Sequence, residues 1–234
     1  MNISKKLKKS MLGYFSYASK ERVALKSTLD NIALHLPETV IFGGMLREFA
    51  LGNARSFTSD IDLVSLASRK EIQDAISDFK PTENKFGGFR FVAADRLFDV
   101  WAFEDTWAIR AGFIRGRDFK DLLKTTFFNL DAAAFHIGTH EFLYMQNFSR
   151  ALQDKLLDMN LEENPCPDRM AWKAIKMATE KDLALSKQLS VYILEHVNRK
   201  KLDYISKKFV QRLDEHVNLD KKDIFRFNPQ LSLL

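Results

Sequence analysis

Three acidic residues and a pair of glycines carry the chemistry that this sequence could perform. Asp60 and Asp62 stand two apart in Ser59-Asp60-Ile61-Asp62-Leu63-Val64. On a strand, residues two apart share a face. The two carboxylates then project together, while Ile61 and Leu63 project into a core. Adjacent carboxylates repel unless a cation lies between them, and an oxygen-only pair suits Mg²⁺ or Mn²⁺. The alternative is the solvent-facing side of an edge strand. Asp99 sits inside the apolar run Leu97-Phe98-Asp99-Val100-Trp101, where an unpaired carboxylate is costly. If its strand pairs beside that of Asp60, three carboxylates converge, the arrangement of a two-metal site for in-line phosphoryl or nucleotidyl transfer. Otherwise Asp99 pairs with a nearby arginine, Arg90 or Arg96.

Phe42-Gly43-Gly44-Met45-Leu46-Arg47-Glu48 reads strand, double glycine, helix. Two glycines let a backbone approach a ligand closely, and the amides that open a helix favour phosphate. Arg47, one turn in, is placed to reach a phosphate oxygen. The competing reading is a tight turn. GxxxxGK[ST] is absent, so this is not a P-loop. His136 and His140 flank a Gly-Thr turn and do not share a helix face, which argues against zinc. Cys166 has no Cys or His pattern around it and reads as inert.

The elements that must hold these residues follow from period and punctuation. Residues 4–36 read as helical up to Pro37. Thr39 to Phe42 is a short strand, and Met45 to Leu51 a helix ended by Gly52. Asp60 to Leu66 is a second strand. Ser68 starts a helix to about Phe79, with Glu71 at capping-box spacing. Phe89 to Val92 and Leu97 to Phe103 pair across Ala93-Ala94-Asp95-Arg96. Phe135 to Ile137 and Glu141 to Met145 form a hairpin around Gly138-Thr139. Beyond Ser149 only helical periods are visible, at 149–159, 168–184, 187–198 and 201–217. The expected class is α+β, a mixed sheet with helices followed by an all-helical domain. The expected divisions are a basic arm over 1–19, a first domain over 20–148, a helical domain over 149–217 and a tail over 218–234.

Of 234 residues, 46% are hydrophobic and 29% charged, enough for a core and ordinary for a globular protein. No run approaches the roughly 20 apolar residues of a membrane helix, and the N-terminus lacks the pattern of a secretory signal. A single cysteine forms no internal disulfide, which points to a reducing, cytoplasmic setting. The net charge of +5 is unevenly spread. Residues 1–10 carry +4, residues 169–222 carry +6, and the remainder carries −5. A basic tail and a basic C-terminal half suit a polyanion; solvated helix faces are the plainer reading.

A double glycine opening a helix, then DxD, then an acid on a later strand resembles the polymerase-β-type nucleotidyltransferases. The closer resemblance is to the head and neck of CCA-adding tRNA nucleotidyltransferases and bacterial poly(A) polymerases, with their GGxVRDxLLG…DxD pattern. Here it reads Gly43-Gly44-Met45-Leu46-Arg47-Glu48-Phe49-Ala50-Leu51-Gly52, then Asp60-Ile61-Asp62. Thr125 to Phe135 resembles that family's RRDFTINALAY stretch, and Trp172 to Ala178 its neck helix LRAIRFA. The resemblance covers about residues 39–180. The chain departs from the pattern in Glu48, in Thr125, Thr126 and Phe127, in the missing EDxxR, and in a longer loop over Asn53 to Thr58.

The resemblance implies a metal-dependent nucleotidyltransferase that moves a nucleoside monophosphate from an NTP to an acceptor hydroxyl. Asp60, Asp62 and Asp99 would be the catalytic and metal-holding residues, with Mg²⁺ or Mn²⁺ as cofactor. Gly43, Gly44 and Arg47 would hold phosphates. Asp131, Arg169 and Lys173 would meet the base or sugar. The acceptor it implies is an RNA 3′ end, such as tRNA, gripped by the basic arm and C-terminal helices. The same fold acting on a small molecule or protein hydroxyl, and a non-catalytic RNA-binding module, are the alternatives.

Overall fold

The computed structural model describes residues 3–17, 19–219 and 224–228. They form two compact units, Met1–Thr126 with Asp131–Ser149, and Phe127–Leu130 with Arg150–Leu234.

The first unit opens on two helices rather than one, α1 (Ile3–Phe15) and α2 (Lys20–His35). Ser19 separates them. Its extended backbone and its hydroxyl, which accepts from Arg22 N, start α2 afresh. The basic stretch expected as an arm therefore contains a helix that buries Leu7, Met11, Tyr14 and Phe15. Strand β1 (Thr39–Phe42), α3 (Gly44–Ala50), β2 (Ile61–Ser65) and α4 (Arg69–Ala75) follow. Ser68 and Glu71 close the capping box that their spacing predicts. Then come β3 (Thr82–Glu83), β4 (Phe89–Ala93), β5 (Arg96–Ala102), the short helices α5 (Trp107–Arg110) and α6 (Phe119–Leu122), β6 (Ala133–His136) and β7 (Phe142–Tyr144).

The seven strands order as β3-β4-β5-β2-β1-β6-β7. All neighbours are antiparallel except β2 and β5, which run parallel. The sheet is thus mixed, as expected. Register sorts the side chains. Val64, Val40, Phe42 and Ala134 share one face and pack with Phe119, Leu122 and Leu123. Ile61, Leu63, Ile41 and Phe98 fall on the other face and are fully buried. Helix α3 packs against β1 and β2, and α4 against β5.

Helix α7 (Gln146–Asp154) carries the chain into the second unit, which holds α8 (Pro167–Glu180), α9 (Lys187–His196) and α10 (Tyr204–Asn218). This unit is mainly helical, with one addition to the expectation. β8 (Leu156–Leu157), β9 (Ala184–Ser186) and β10 (Ile224–Phe225) form a small sheet in the order β10-β9-β8. Strands of two or three residues are too short to show alternation, so the sequence reads as helix and tail there. Helix α8 stops at Glu180, before Asp182 takes a positive φ of 49°. Helix α10 starts at Tyr204 because Asp203 caps it by accepting from Ser206 N. Of the expected tail, residues 220–223 and 229–234 lie outside the described residues. No helix among the described residues is long and apolar enough to cross a membrane.

Candidate active site

Asp62 lies in register with Asp99 on the parallel pair β2–β5, and Asp99 lies opposite Arg90 on β4. In-register partners share a sheet face, so these three side chains form a row across three adjacent strands. Arg90 donates from Nε to Asp99 Oδ1 at 2.9 Å and from Nη2 to Oδ2 at 2.6 Å. That two-pronged geometry is the strong form of an ion pair. The Asp99 side chain is 14% exposed and Arg90 50% exposed, so the pair opens to water on the arginine side. Asp60, exposed, stands just before β2. Hydrogen bonds to Asp99 hold the Arg90 guanidinium above its usual pKa, and the charges of Asp99, Asp60 and Asp62 add to the effect. All three acids named by the sequence therefore act on one cation. Among the described residues, no three Asp, Glu, His or Cys side chains are arranged to hold a metal ion as they stand.

The double glycine borders this row. Gly43 has φ 66° and ψ −107°, a conformation that side chains rarely tolerate. Its N–H donates to Ala133 O at 3.1 Å, which ties β1 to β6, and its carbonyl accepts from Leu46 N and Arg47 N. Gly44 matters for what it lacks. A Cβ there would lie 3.8 Å from Arg47 Nη2 and 4.0 Å from Asp62 Oδ2. The missing side chain leaves space open beside the Asp62 carboxylate. Oxygen donors next to such a gap fit a hard divalent cation in chemistry, although Asp99 is already shared with Arg90.

Arg47 and Asp131 meet across 84 residues of sequence in an ion pair between Nη1 and Oδ1. Arg47 Nε also donates to Glu48 Oε1 at 3.3 Å. Both Arg47 and Asp131 are buried. Burial works against the Arg47 charge, but Asp131 and Glu48 outweigh it and hold the guanidinium above its usual pKa. Glu48, at the position where the resembling motif has Asp, also accepts from Asn53 Nδ2 at 3.1 Å, which fastens α3 to the loop after it.

The other expected residues lie in the second unit. Lys173, on α8, places its Nζ 5.6 Å from the Phe128 ring centroid. Arg169 lines a cleft of about 410 Å³ with Asp168, Trp172, Val197, Asn198 and Lys201. His136 turns Nδ1 to the N–H groups of Gly138 and Thr139 at 3.2 and 3.1 Å, the wiring of a structural turn. The placement of Arg90 was legible in one way. Ala94 and Asp95 both take positive φ, 49° and 53°, the mark of a two-residue hairpin turn. Counting back from that turn sets Arg90 against Asp99. No sequence signal announces the Arg47–Asp131 pair.

No protein-family profile matches the chain, and no curated protein matches it in sequence. Solved structures do match. A CCA-adding enzyme with CTP is 16% identical at a TM-score of 0.63, covering 91% of this chain and 49% of that one. The Thermotoga maritima CCA-adding enzyme complexed with tRNA is 16% identical at 0.61, covering 92% and 54%. A CCA-adding enzyme with ATP is 15% identical at 0.60, covering 97% and 52%. The chain spans about half the length of these solved chains. At such identities the likeness is one of fold alone: the chain has a fold resembling that of the CCA-adding enzymes.

Proposed function

We propose that the chain transfers a nucleoside monophosphate from an NTP to an acceptor hydroxyl, with an RNA 3′ end as acceptor. The observation that carries this reading is the in-register Asp62–Asp99 pair beside the gap at Gly44. Asp60 and Asp62 would hold Mg²⁺, and Asp99 would join them when Arg90 turns away. A cation bound there would neutralise the charge of the phosphates and of the departing pyrophosphate. Gly43 and Gly44 admit the triphosphate against bare backbone. Arg47 is pinned by Asp131 and Glu48 and turns Nη2 toward that space, so it orients a phosphate oxygen without paying to order its own side chain. Asp131 thus acts through Arg47. Arg90, half exposed and next to Asp99, offers a second cation to the phosphates. Released from Arg90, Asp99 would either complete the metal site or accept the proton of the acceptor hydroxyl. The basic residues of 169–222 are assigned to the RNA backbone.

Incubation with α-labelled NTPs, Mg²⁺ and total RNA, then separately with protein and small-molecule fractions, tests the reading. Label in RNA is the expected result. Label only in protein or a small molecule would replace the acceptor, and no label anywhere would overturn the transfer itself.

A further inference from the structure

A cleft of the first unit shares no residue with the acidic row. Ser10, Gly13 and Tyr14 of α1, Tyr17, Arg22 of α2, and Ala54 and Arg55 of the loop leading to Asp60 enclose about 580 Å³. Ser10, Gly13 and Tyr14 follow at helical spacing, so α1 turns one stripe toward the cleft, and Tyr17 follows just past its end. A Cβ at Gly13 would meet nothing within 4 Å, which leaves that wall open. The loop is the stretch that the sequence marks as longer than in the resembling family.

The lining combines cation and ring. The Arg22 guanidinium carbon lies 4.2 Å from the Tyr14 ring centroid and 4.7 Å from that of Tyr17. Tyr14 is buried and Tyr17 is 62% exposed. Two rings therefore hold the guanidinium in place while one ring offers its body to solvent. Among the described residues neither Arg22 nor Arg55 forms an ion pair with a carboxylate. Two guanidinium groups that form no such ion pair can donate to phosphate oxygens, and an exposed ring beside an arginine plane accepts a base by stacking. Lys6, one turn before Ser10 on the same stripe, adds to the positive field.

We propose that this cleft binds a nucleotide unit of a single-stranded polynucleotide, its phosphate at Arg22 and Arg55 and its base against Tyr17. A free mononucleotide has the same chemistry, and the test separates the two sources. The proposal concerns binding alone and stands whether or not the acidic row transfers nucleotides.

The test uses the full chain in EDTA at low salt, a fluorescein-labelled oligoadenylate of about ten nucleotides, and anisotropy as readout. Arg55→Ala and Tyr17→Ala should each weaken binding about tenfold. Tyr17→Phe should bind like wild type. Lys70→Ala, which removes an equal charge from an exposed position on α4, should change affinity less than about twofold. Competition by unlabelled oligonucleotide but not by AMP identifies the strand as occupant, and competition by AMP identifies the mononucleotide. If Tyr17→Ala binds like wild type, or Lys70→Ala costs as much as Arg55→Ala, the attraction is diffuse charge and the proposal fails. Absence of binding by wild type overturns it equally. Because Tyr17→Ala removes no charge, it tells stacking from electrostatics.

Discussion

Two arginine–aspartate pairs of the first unit, Arg47–Asp131 and Arg90–Asp99, differ in what surrounds them. Arg47–Asp131 is buried, with Glu48 as a second acid on the arginine. Arg90–Asp99 keeps its arginine half in water. Burial makes the first pair hard to separate, because either partner left alone would be an unpaired charge in a poor solvent. Exposure on the arginine side makes the second pair easier to open than the first, because water and salt reach Arg90. The difference assigns the labour. The buried pair fixes α3 and the glycines against β6, and the exposed pair leaves Asp99 able to change partners. A third cluster lies between these extremes. Asp121 is buried, while its partners Arg117 and Lys124 are largely exposed.

The largest expected effect comes from breaking the buried pair. Arg47→Ala should destabilise the chain by about 3–5 kcal/mol, the cost of stranding a buried acid, seen as a lowered urea midpoint. A loss below about 1 kcal/mol would mean that Asp131 finds water or another partner. Breaking the exposed pair should cost less. Arg90→Ala should destabilise the chain by about 1–3 kcal/mol, because Asp99, 14% exposed, loses a two-pronged partner but keeps some access to water. It should also raise Mn²⁺ affinity several-fold, measured by electron paramagnetic resonance titration, because the competing cation is gone from Asp99. Unchanged or weaker Mn²⁺ binding would show that Asp99 takes no part in holding the metal. The smallest effect lies at Asp121. Hydrogen bonds from Arg117 and then Lys124 hold its carboxyl well below the usual carboxylate range, against the pull of burial. A depressed folded-state pKa stabilises the fold above the unfolded value of about 4 and loses that contribution as pH falls below it. Thermal melts at pH 6 and pH 3 should therefore differ less in Asp121→Asn than in wild type. An equal difference would place the acid sensitivity elsewhere.

The two pairs were unequally legible in the sequence. The face of Asp62 was visible because strand alternation sets it opposite Ile61 and Leu63, which are fully buried, whereas Asp60 stands before the strand and outside that pattern. The pairing of Asp99 with Arg90 was one of two stated readings. A two-residue turn decides it, since the turn sets the register of everything behind it. Arg47–Asp131 could not be read, because nothing local to residue 47 refers to residue 131. The pair exists only once β6 lies beside β1. The break between α1 and α2 was hidden by continuous helical periodicity, and only the Ser19 cap interrupts it. The small sheet of the second unit escaped for want of length. Its strands are held by register with one another rather than by any pattern of their own.

The central claim, that the acidic row performs nucleotidyl transfer, is tested most directly by Asp62→Asn. Incorporation of labelled nucleoside monophosphate into acceptor is compared with wild type at saturating Mg²⁺, with circular dichroism to verify folding. The account predicts a folded variant whose transfer rate falls at least about a hundredfold, since each tenfold is about 1.4 kcal/mol of lost transition-state stabilisation and a bound divalent ion supplies several. A folded Asp62→Asn chain that turns over at the wild-type rate would contradict it.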